Sequence, residues 1–347
     1  MEKRAKILAL DLGYSALKYT YIDENGKMVS DKIISAAAKL PEPPTTADND
    51  ETFRLGADWF LLGPSALRTA RSYLLPLETF EDMLAVYPAW VSYMLKKLEH
   101  IKFDKVAIGL SFAFVKKADL LLQTLYDALM ISPDSQFFVC LPQAMSSRYT
   151  LQKFGANIRE NAANATKVND FDSYVIADIG YLTVDLCSVI NRKSSVGATI
   201  GLPDTGIIVI ARDMSDYIYK NFEYRISIKE AQTVVDTGIL RRRGREVDLS
   251  EVVTQFTKRY FVNVLNLIEE RYGEFLDAAN NLVMLGGGAY LFKKLLNDDA
   301  FCKEIEKHFP LSFIITPNDS SEYYNSISYL LITEDLIMKA SGTTETN

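Results

Sequence analysis

Leu10-Asp-Leu-Gly-Tyr14, near the start of the chain, and Ala177-Asp-Ile-Gly-Tyr181, at its middle, are two copies of one pattern. The first continues as Ser15-Ala-Leu-Lys18-Tyr-Thr-Tyr and the second as Leu182-Thr-Val-Asp185-Leu-Cys-Ser. Each copy reads as a strand, a tight turn at Asp-x-Gly-Tyr and a second strand, which predicts an internal duplication. A glycine two residues after a strand-end Asp can take a positive φ, and its missing side chain lets backbone N–H groups approach an anion. Asp11 and Asp178 are then expected to end their strands with carboxylates aimed at the space between the turns, where a hard cation bridging phosphate oxygens takes oxygen ligands. An Asp-x-Gly is equally an ordinary hairpin turn, since both residues are common there. The second copy, with the same Tyr and a matching apolar pattern, favours a paired phosphate site over two unrelated turns.

A chain of 347 residues is longer than one small core holds, which predicts two domains. Apolar residues at 48% and charged residues at 24% lie in the soluble globular range. The net charge of −7 argues against a surface that grips nucleic acid or anionic membrane throughout, and leaves a local basic patch open. The three cysteines, Cys140, Cys187 and Cys302, are odd in number and far apart, so neither a disulfide framework nor a Cys-x-x-Cys metal site is expected. His100 and His308 each end an amphipathic stretch and suit a helix C-terminus, which disfavours a Ser-His-Asp triad or a histidine zinc site. Ile7-Leu-Ala-Leu10 is too short for a signal-peptide core and no run reaches membrane-spanning length, so a cytoplasmic protein is expected.

Along the chain, Lys6 to Ser35 predicts three strands, with Glu24-Asn-Gly26 as the second turn. Residues 40–51 are polar and proline-rich and predict a mobile loop; Phe53 to Leu62 predicts a strand pair in a small inserted lobe, about 36–78. Thr79 to Glu99 is apolar at helical spacing and is expected to be interrupted by Pro88. Strands at 105–112 and 136–141 flank a helix at 116–130, the alternation of an α/β sheet. Pro142 is expected to end its strand and open a helix to about Phe154, with Gln143 in its first turn, before a polar excursion over 155–172. After the second copy, Asp204 or Thr205 is expected to cap a helix reaching Phe222, and a second helix starts at Ser227. Arg241-Arg-Arg-Gly-Arg245 reads as a basic turn, a solvated hairpin tip more readily than a nucleic-acid contact; Leu249 to Ala279 predicts a long helix or helix pair. Asn281 to Tyr290 reads as a strand, a triple glycine and a helix start, where Gly286, Gly287 and Gly288 let a flat ligand and its phosphates lie against bare backbone. A last strand at 311–316, a loop at 318–322, a helix from Tyr324 to Lys339 and a disordered tail at 341–347 complete the expectation.

This order of motifs resembles the actin-like ATPase superfamily over nearly the whole chain, and is most similar to plasmid-segregation actins of the ParM type or their archaeal relatives. The resemblance implies an α/β fold of two actin-like, ribonuclease H-like domains flanking a nucleotide cleft. The first would span 1–165 with the inserted lobe, the second 166–322, and a C-terminal helix at 323–340 would return to the first. It further implies that Asp11 and Asp178 hold magnesium through its waters. Gly13, Tyr14 and Ser15, with Gly180, Tyr181 and Leu182, match the two phosphate loops, and Lys18 matches a phosphate-contacting lysine. Gln143 falls where actins orient the attacking water, with Asp178 nearer to polarising it, since a glutamine cannot remove a proton. Gly286 to Tyr290 would bound the adenosine, and Lys229 and Glu230 match a Lys-Glu pair at the ribose. Ser111 stands where relatives often carry proline, and Asp185 is not an obvious phosphate ligand. The implied activity is magnesium-dependent hydrolysis of ATP to ADP, with GTP as an alternative, coupled to dynamic filaments that segregate plasmid or other DNA through a DNA-binding adaptor protein. The partners are other copies of the chain, with little direct nucleic-acid contact and no membrane. Two rivals are a small-molecule kinase of the same superfamily, against which Gln143 is a poor base, and a non-catalytic nucleotide-dependent scaffold for cell shape or pilus assembly.

Overall fold

Apolar runs that carry no polar alternation become strands covered on both faces. Ile7–Leu12 (β1) and Tyr174–Ile179 (β9), the strands of the copied pattern, are buried at every position. The computed structural model describes residues 5–43, 52–69, 73–161, 172–317, 319–340 and 342. The chain divides into two compact units, Met1–Lys153 with Tyr323–Asn347, and Phe154–Glu322.

In the first unit β1 is followed by β2 (Ala16–Ile22) and β3 (Met28–Ile34), each antiparallel to its predecessor. The inserted lobe is a three-stranded sheet of β4 (Ala37–Leu40), β5 (Thr52–Leu55) and β6 (Asp58–Leu62) in the order β4-β6-β5, with α1 (Gly63–Thr69) beside it. Next come α2 (Phe80–Lys97), β7 (Lys105–Leu110), α3 (Ala118–Leu129), β8 (Phe138–Pro142) and α4 (Ser147–Asn161). β7 joins β1 in parallel and β8 joins β7, giving the order β3-β2-β1-β7-β8.

The second unit repeats this arrangement. β9 pairs antiparallel with β10 (Val184–Ile190), and β10 with β11 (Lys193–Leu202). Helices α5 (Ile208–Phe222) and α6 (Ile228–Thr237), the hairpin β12 (Ile239–Arg242) and β13 (Arg245–Asp248), and α7 (Ser250–Asp277) follow. Then β14 (Leu282–Leu285), α8 (Gly286–Leu295), α9 (Asp299–Ile305) and β15 (Ile314–Ile315) complete a sheet of order β11-β10-β9-β14-β15. Three antiparallel strands followed by two parallel ones, in the same spatial order, is the predicted duplication at the level of topology.

Each unit has its own core. In the first, α2 sets Met83, Trp90 and Met94 among Leu8, Leu10 and Ile108; in the second, α7 sets Phe261, Leu265 and Ile268 among Val175, Ala177 and Leu282. The last helix, α10 (Tyr324–Ala340), joins the first unit through hydroxyls. Ser326 meets Thr20 at 2.8 Å, Ser328 meets Thr150 at 2.6 Å, and Ser147 donates to Asn325 at 2.5 Å. No helix among the described residues is long and apolar enough to cross a membrane.

Several local expectations are corrected. α2 runs unbroken through Pro88, which is buried with most of its helix neighbours; the amide bond that proline removes is one among many, and a capping box between Thr79 and Asp82 fixes the helix start. Gln143 is not in a helix: α4 begins at Ser147, and Gln143 opens the turn before it, where Ala144 has φ +53. α4 continues to Asn161 instead of ending near Phe154. Neither Asp204 nor Thr205 caps α5, whose N-cap is Ile207 with no side-chain cap bond; Asp204 has φ +57 and the Thr205 hydroxyl donates to the Leu202 carbonyl. The last strand shrinks to Ile314–Ile315, with a 3-10 turn at Leu311–Phe313 before it, and the loop at 318–322 overlaps a 3-10 turn at Asp319–Tyr323. The mobile loop at 40–51, the excursion at 155–172 and the tail at 341–347 fall largely outside the described residues.

Candidate functional site

Cross-strand register places the chemistry of the first hairpin. Asp11 lies opposite Lys18 on the β1–β2 ladder. Asp11 is 1% exposed, and the Lys18 Nζ donates to its Oδ2 at 3.5 Å. Gln143, just past the end of β8, reaches the same carboxylate: its backbone N–H donates to the Leu110 carbonyl at 2.9 Å, and its side-chain Nε2 donates to Asp11 Oδ1 at 2.6 Å. Asp11, Lys18 and Gln143 are thus one connected group. Such an amide keeps its own oxygen as an acceptor, able to hold a water but not to take its proton.

The turns themselves are built alike. The Gly13 N–H donates to the Ala16 carbonyl at 3.1 Å, and the Gly180 N–H to the Thr183 carbonyl at 2.9 Å. The expectation of positive φ at these glycines is overturned: neither belongs to the positive-φ residues. What favours glycine is close approach, because a Cβ would stand 3.1 Å from the Ala16 oxygen in one turn and 3.2 Å from the Thr183 oxygen in the other, tight contacts that the backbone must ease by a few tenths of an ångström to accept.

Both loops have their carbonyls drawn back into the scaffold. In the first, the Ser35 hydroxyl donates to the Gly13 carbonyl at 2.5 Å and the Ser35 N–H to the Ser15 carbonyl at 2.9 Å. In the second, the amides that open α5 do the same work: Gly206 to Leu182 at 3.0 Å, Ile207 to Gly180 at 3.1 Å and Ile208 to Tyr181 at 2.8 Å. In a planar trans peptide the C=O of one residue and the N–H of the next point in opposite directions. Pinning the carbonyls of Gly13, Gly180 and Tyr181 therefore turns the N–H groups of Tyr14, Tyr181 and Leu182 away from the scaffold. Gly206 is needed for this approach, since a Cβ there would lie 2.3 Å from the Tyr181 oxygen.

Asp178 is 5% exposed and stands opposite Asp185, itself 1% exposed, where the first hairpin has Asp11 opposite Lys18. The duplication keeps the strand-end acid and exchanges its cross-strand partner from cation to acid. At the triple glycine, Gly286 has φ +76 and opens α8; a Cβ on it would meet Asp178 Oδ1 at 2.5 Å, and one on Gly288 would meet Ile179 Cγ2 at 2.2 Å. These two glycines are bare so that β9 and α8 can close on each other. Gly287 alone has open space around it. Tyr290 is half exposed, with the Lys294 ammonium over its ring at 4.4 Å.

Burial pushes the Lys229 ammonium below the ordinary lysine range. Glu230 serves its own helix: its carboxylate accepts from the Ser227 N–H and hydroxyl, each at 2.9 Å, in a capping box. Tyr87 is a contributor with no sequence signal. Its buried hydroxyl donates to the Gly109 carbonyl at 3.2 Å and lies 3.5 Å from the Leu12 carbonyl, and burial, with Cys140 and Asp11 nearby, raises its pKa well above the tyrosine range, so it stays a donor. Burial also raises the Cys140 thiol to about 12, which removes it as a nucleophile. Ser35 was missed because it lies beyond the end of β3, outside the hairpin, and Gly206 because Pro203-Asp-Thr-Gly206 reads as a plain turn. Among the described residues no group of three His, Cys, Asp or Glu side chains is placed to hold a metal ion.

Solved structures share this architecture along almost the whole chain. A 15-stranded ParM filament from Clostridium botulinum superposes with a TM-score of 0.68 at 16% identity, covering 96% of this chain and 100% of that one. The chain carries the actin-like fold. The archaeal actin homologue Ta0583 in complex with ADP gives a TM-score of 0.64 at 17% identity, covering 95% of the actin-like chain and 99% of its own. The MamK double helical filament gives 0.63 at 17%, with coverage of 95% and 99%. A family model described as archaeal actin homologue MreB-like, C-terminal, matches residues 176–298, which hold the second hairpin and the triple glycine. Comparison with curated proteins finds no match.

Proposed function

We propose that the actin-like chain binds ATP with magnesium, hydrolyses it, and assembles with other copies of itself into dynamic filaments. The observation that carries this reading is the pair of hairpin loops whose carbonyls are held back at Gly13, Ser15, Gly180, Tyr181 and Leu182. Loops so arranged suit an anion such as a nucleotide phosphate. The likeness to a relative solved with ADP and to filaments of ParM and MamK supports the same reading.

The donor set fits a hard cation. Asp11 and Asp178 are buried carboxylates at strand ends, and their oxygens suit a magnesium ion that keeps several of its waters. When bound, that ion neutralises charge on the phosphate oxygens. Lys18 adds a positive charge beside Asp11, and Gln143, tied to Asp11 through its N–H, offers its amide oxygen to orient a water. Asp178 is the group that polarises the water. Gly287, with open space around it, and Tyr290 border the adenosine, with Lys229 and Glu230 on the ribose side. The filament would serve DNA segregation in the cytoplasm through an adaptor protein.

Sedimentation with and without ATP, GTP and magnesium, run alongside phosphate release, tests the proposal. Nucleotide-dependent pelleting together with hydrolysis is the expected result. Turnover only after an added metabolite would replace this reading with a kinase, and binding without turnover would replace it with a scaffold.

A further inference from the structure

The nucleotide reading makes no use of Arg241-Arg-Arg-Gly-Arg245. It forms the tip of the β12–β13 hairpin, where Arg241 pairs with Glu246 and Arg242 with Arg245 across the ladder. Arg243 and Gly244 make the two-residue turn with φ of +47 and +77. Such turns favour Asn-Gly, so an arginine at the first position is backbone strain that the turn does not need. Two arginines directly opposite each other repel as well. Both choices weaken the hairpin, and its folding does not explain them.

Strand alternation sorts the charges onto two faces. Arg241 and Glu246 share one face and neutralise each other at 2.8 Å. Arg242 and Arg245 share the other. There Arg242 lies 3.6 Å from the centre of the Tyr224 ring, and its neighbour Arg225 stacks on Tyr219 at 4.9 Å. Among the described residues no carboxylate pairs with Arg225, Arg242, Arg243 or Arg245. Between residues 220 and 248, seven Lys and Arg outnumber five Asp and Glu, in a chain whose net charge is −7.

We propose that Arg225, Arg242, Arg243 and Arg245 form a binding surface for the phosphate backbone of double-helical DNA. A guanidinium presents a planar fork of N–H groups that matches a phosphate with two parallel bonds, and three of them at one hairpin tip, with Arg225 next in sequence to the Tyr224 on which Arg242 lies, suit an anion of high charge density. Duplex DNA supplies one charge per roughly 1.7 Å of its axis. The aromatic rings decide between duplex and single strand. Single-strand binding uses open ring faces on which bases stack, whereas Tyr219 and Tyr224 already carry guanidiniums. A guanidinium over a ring keeps N–H groups for an acceptor. The acidity of the remaining chain restricts the contact to this hairpin and its flanking loop, which makes it modest in strength and sensitive to salt.

This surface is independent of the nucleotide reading, so it is tested on the full chain without nucleotide. Fluorescence anisotropy of a labelled duplex of about 20 base pairs across a salt series should give log K falling against log salt with a slope of roughly −3 to −4, as expected for four phosphate contacts. The double variant Arg243→Asn, Arg245→Gln should bind on the order of tenfold more weakly at ~100 mM salt, with a slope shallower by about 2. Arg225→Gln, outside the hairpin, should lose about one unit of slope. The charge-matched pair Lys27→Gln, Lys102→Gln should bind as the parent does, and circular dichroism should report the same fold in every variant. Absence of salt-dependent duplex binding, or equal binding by parent and double variant, overturns the proposal. So does binding of single-stranded DNA, polyglutamate or vesicles of anionic phospholipid as tightly as the duplex.

Discussion

Ser35 illustrates how much one hydroxyl can decide. Its bond to the Gly13 carbonyl turns the adjoining peptide, while its backbone N–H holds Ser15 regardless of side chain. Ser35→Ala removes only the first of these bonds, a loss of about 0.5–1.5 kcal/mol. If the first loop binds phosphate, nucleotide affinity measured by titration calorimetry should fall roughly 3- to 10-fold, beside the fall of about 1–6 °C in melting temperature that the lost bond brings by itself. Unchanged affinity would mean that the orientation of this peptide is irrelevant to binding. Asp178→Ala is expected to abolish phosphate release while the chain remains folded, and normal turnover in that variant would end its assignment. At this scale the sequence was partly legible. The turns at Asp11-Leu-Gly13 and Asp178-Ile-Gly180 could be found because turn chemistry is local and the pattern occurs twice. Ser35 and Gly206 act on the loops from other elements, so no window of adjacent residues contains both the loop and what holds it.

Among the elements, the junction between β14 and α8 shows a glycine run with two separate reasons to exist. Gly286 and Gly288 have no room for a Cβ against Asp178 and Ile179, while Gly287 has nothing near it. The two roles come apart by substitution. Gly288→Ala should lower stability by about 1–3 kcal/mol in a denaturant titration, the usual range for overpacking a core. Gly287→Ala should leave stability unchanged or raised by up to about 1 kcal/mol, because alanine is the better helix former. Its effect belongs in nucleotide affinity, which should drop if adenosine lies against that backbone. Equal destabilisation by both substitutions would show the run to be packing alone. The sequence located this junction but not the division of labour within it, since three identical residues look alike until the opposing strand is placed. Pro88 misled for a related reason: the rule that proline breaks helices is local, whereas the burial of α2 that outweighs it comes from residues distant in the chain.

At the scale of the whole chain, the fold was legible because it is a duplication. Strand order β3-β2-β1-β7-β8 is repeated as β11-β10-β9-β14-β15, and each unit closes on a core of its own. Each core is a cooperative block of its own. Calorimetry without ligand should then give a transition whose van't Hoff enthalpy falls below its calorimetric enthalpy, the mark of more than one cooperative unit. With magnesium and ADP at about 100 times the dissociation constant, mass action contributes about 2.7 kcal/mol to a unit that binds the nucleotide in its folded state. For units of this size that raises its midpoint by roughly 5–10 °C. If both hairpins bind phosphate, both parts of the transition rise, and Asp11→Ala and Asp178→Ala should each reduce the shift. A rise in one part while the other stays in place would mean that a single hairpin carries the nucleotide.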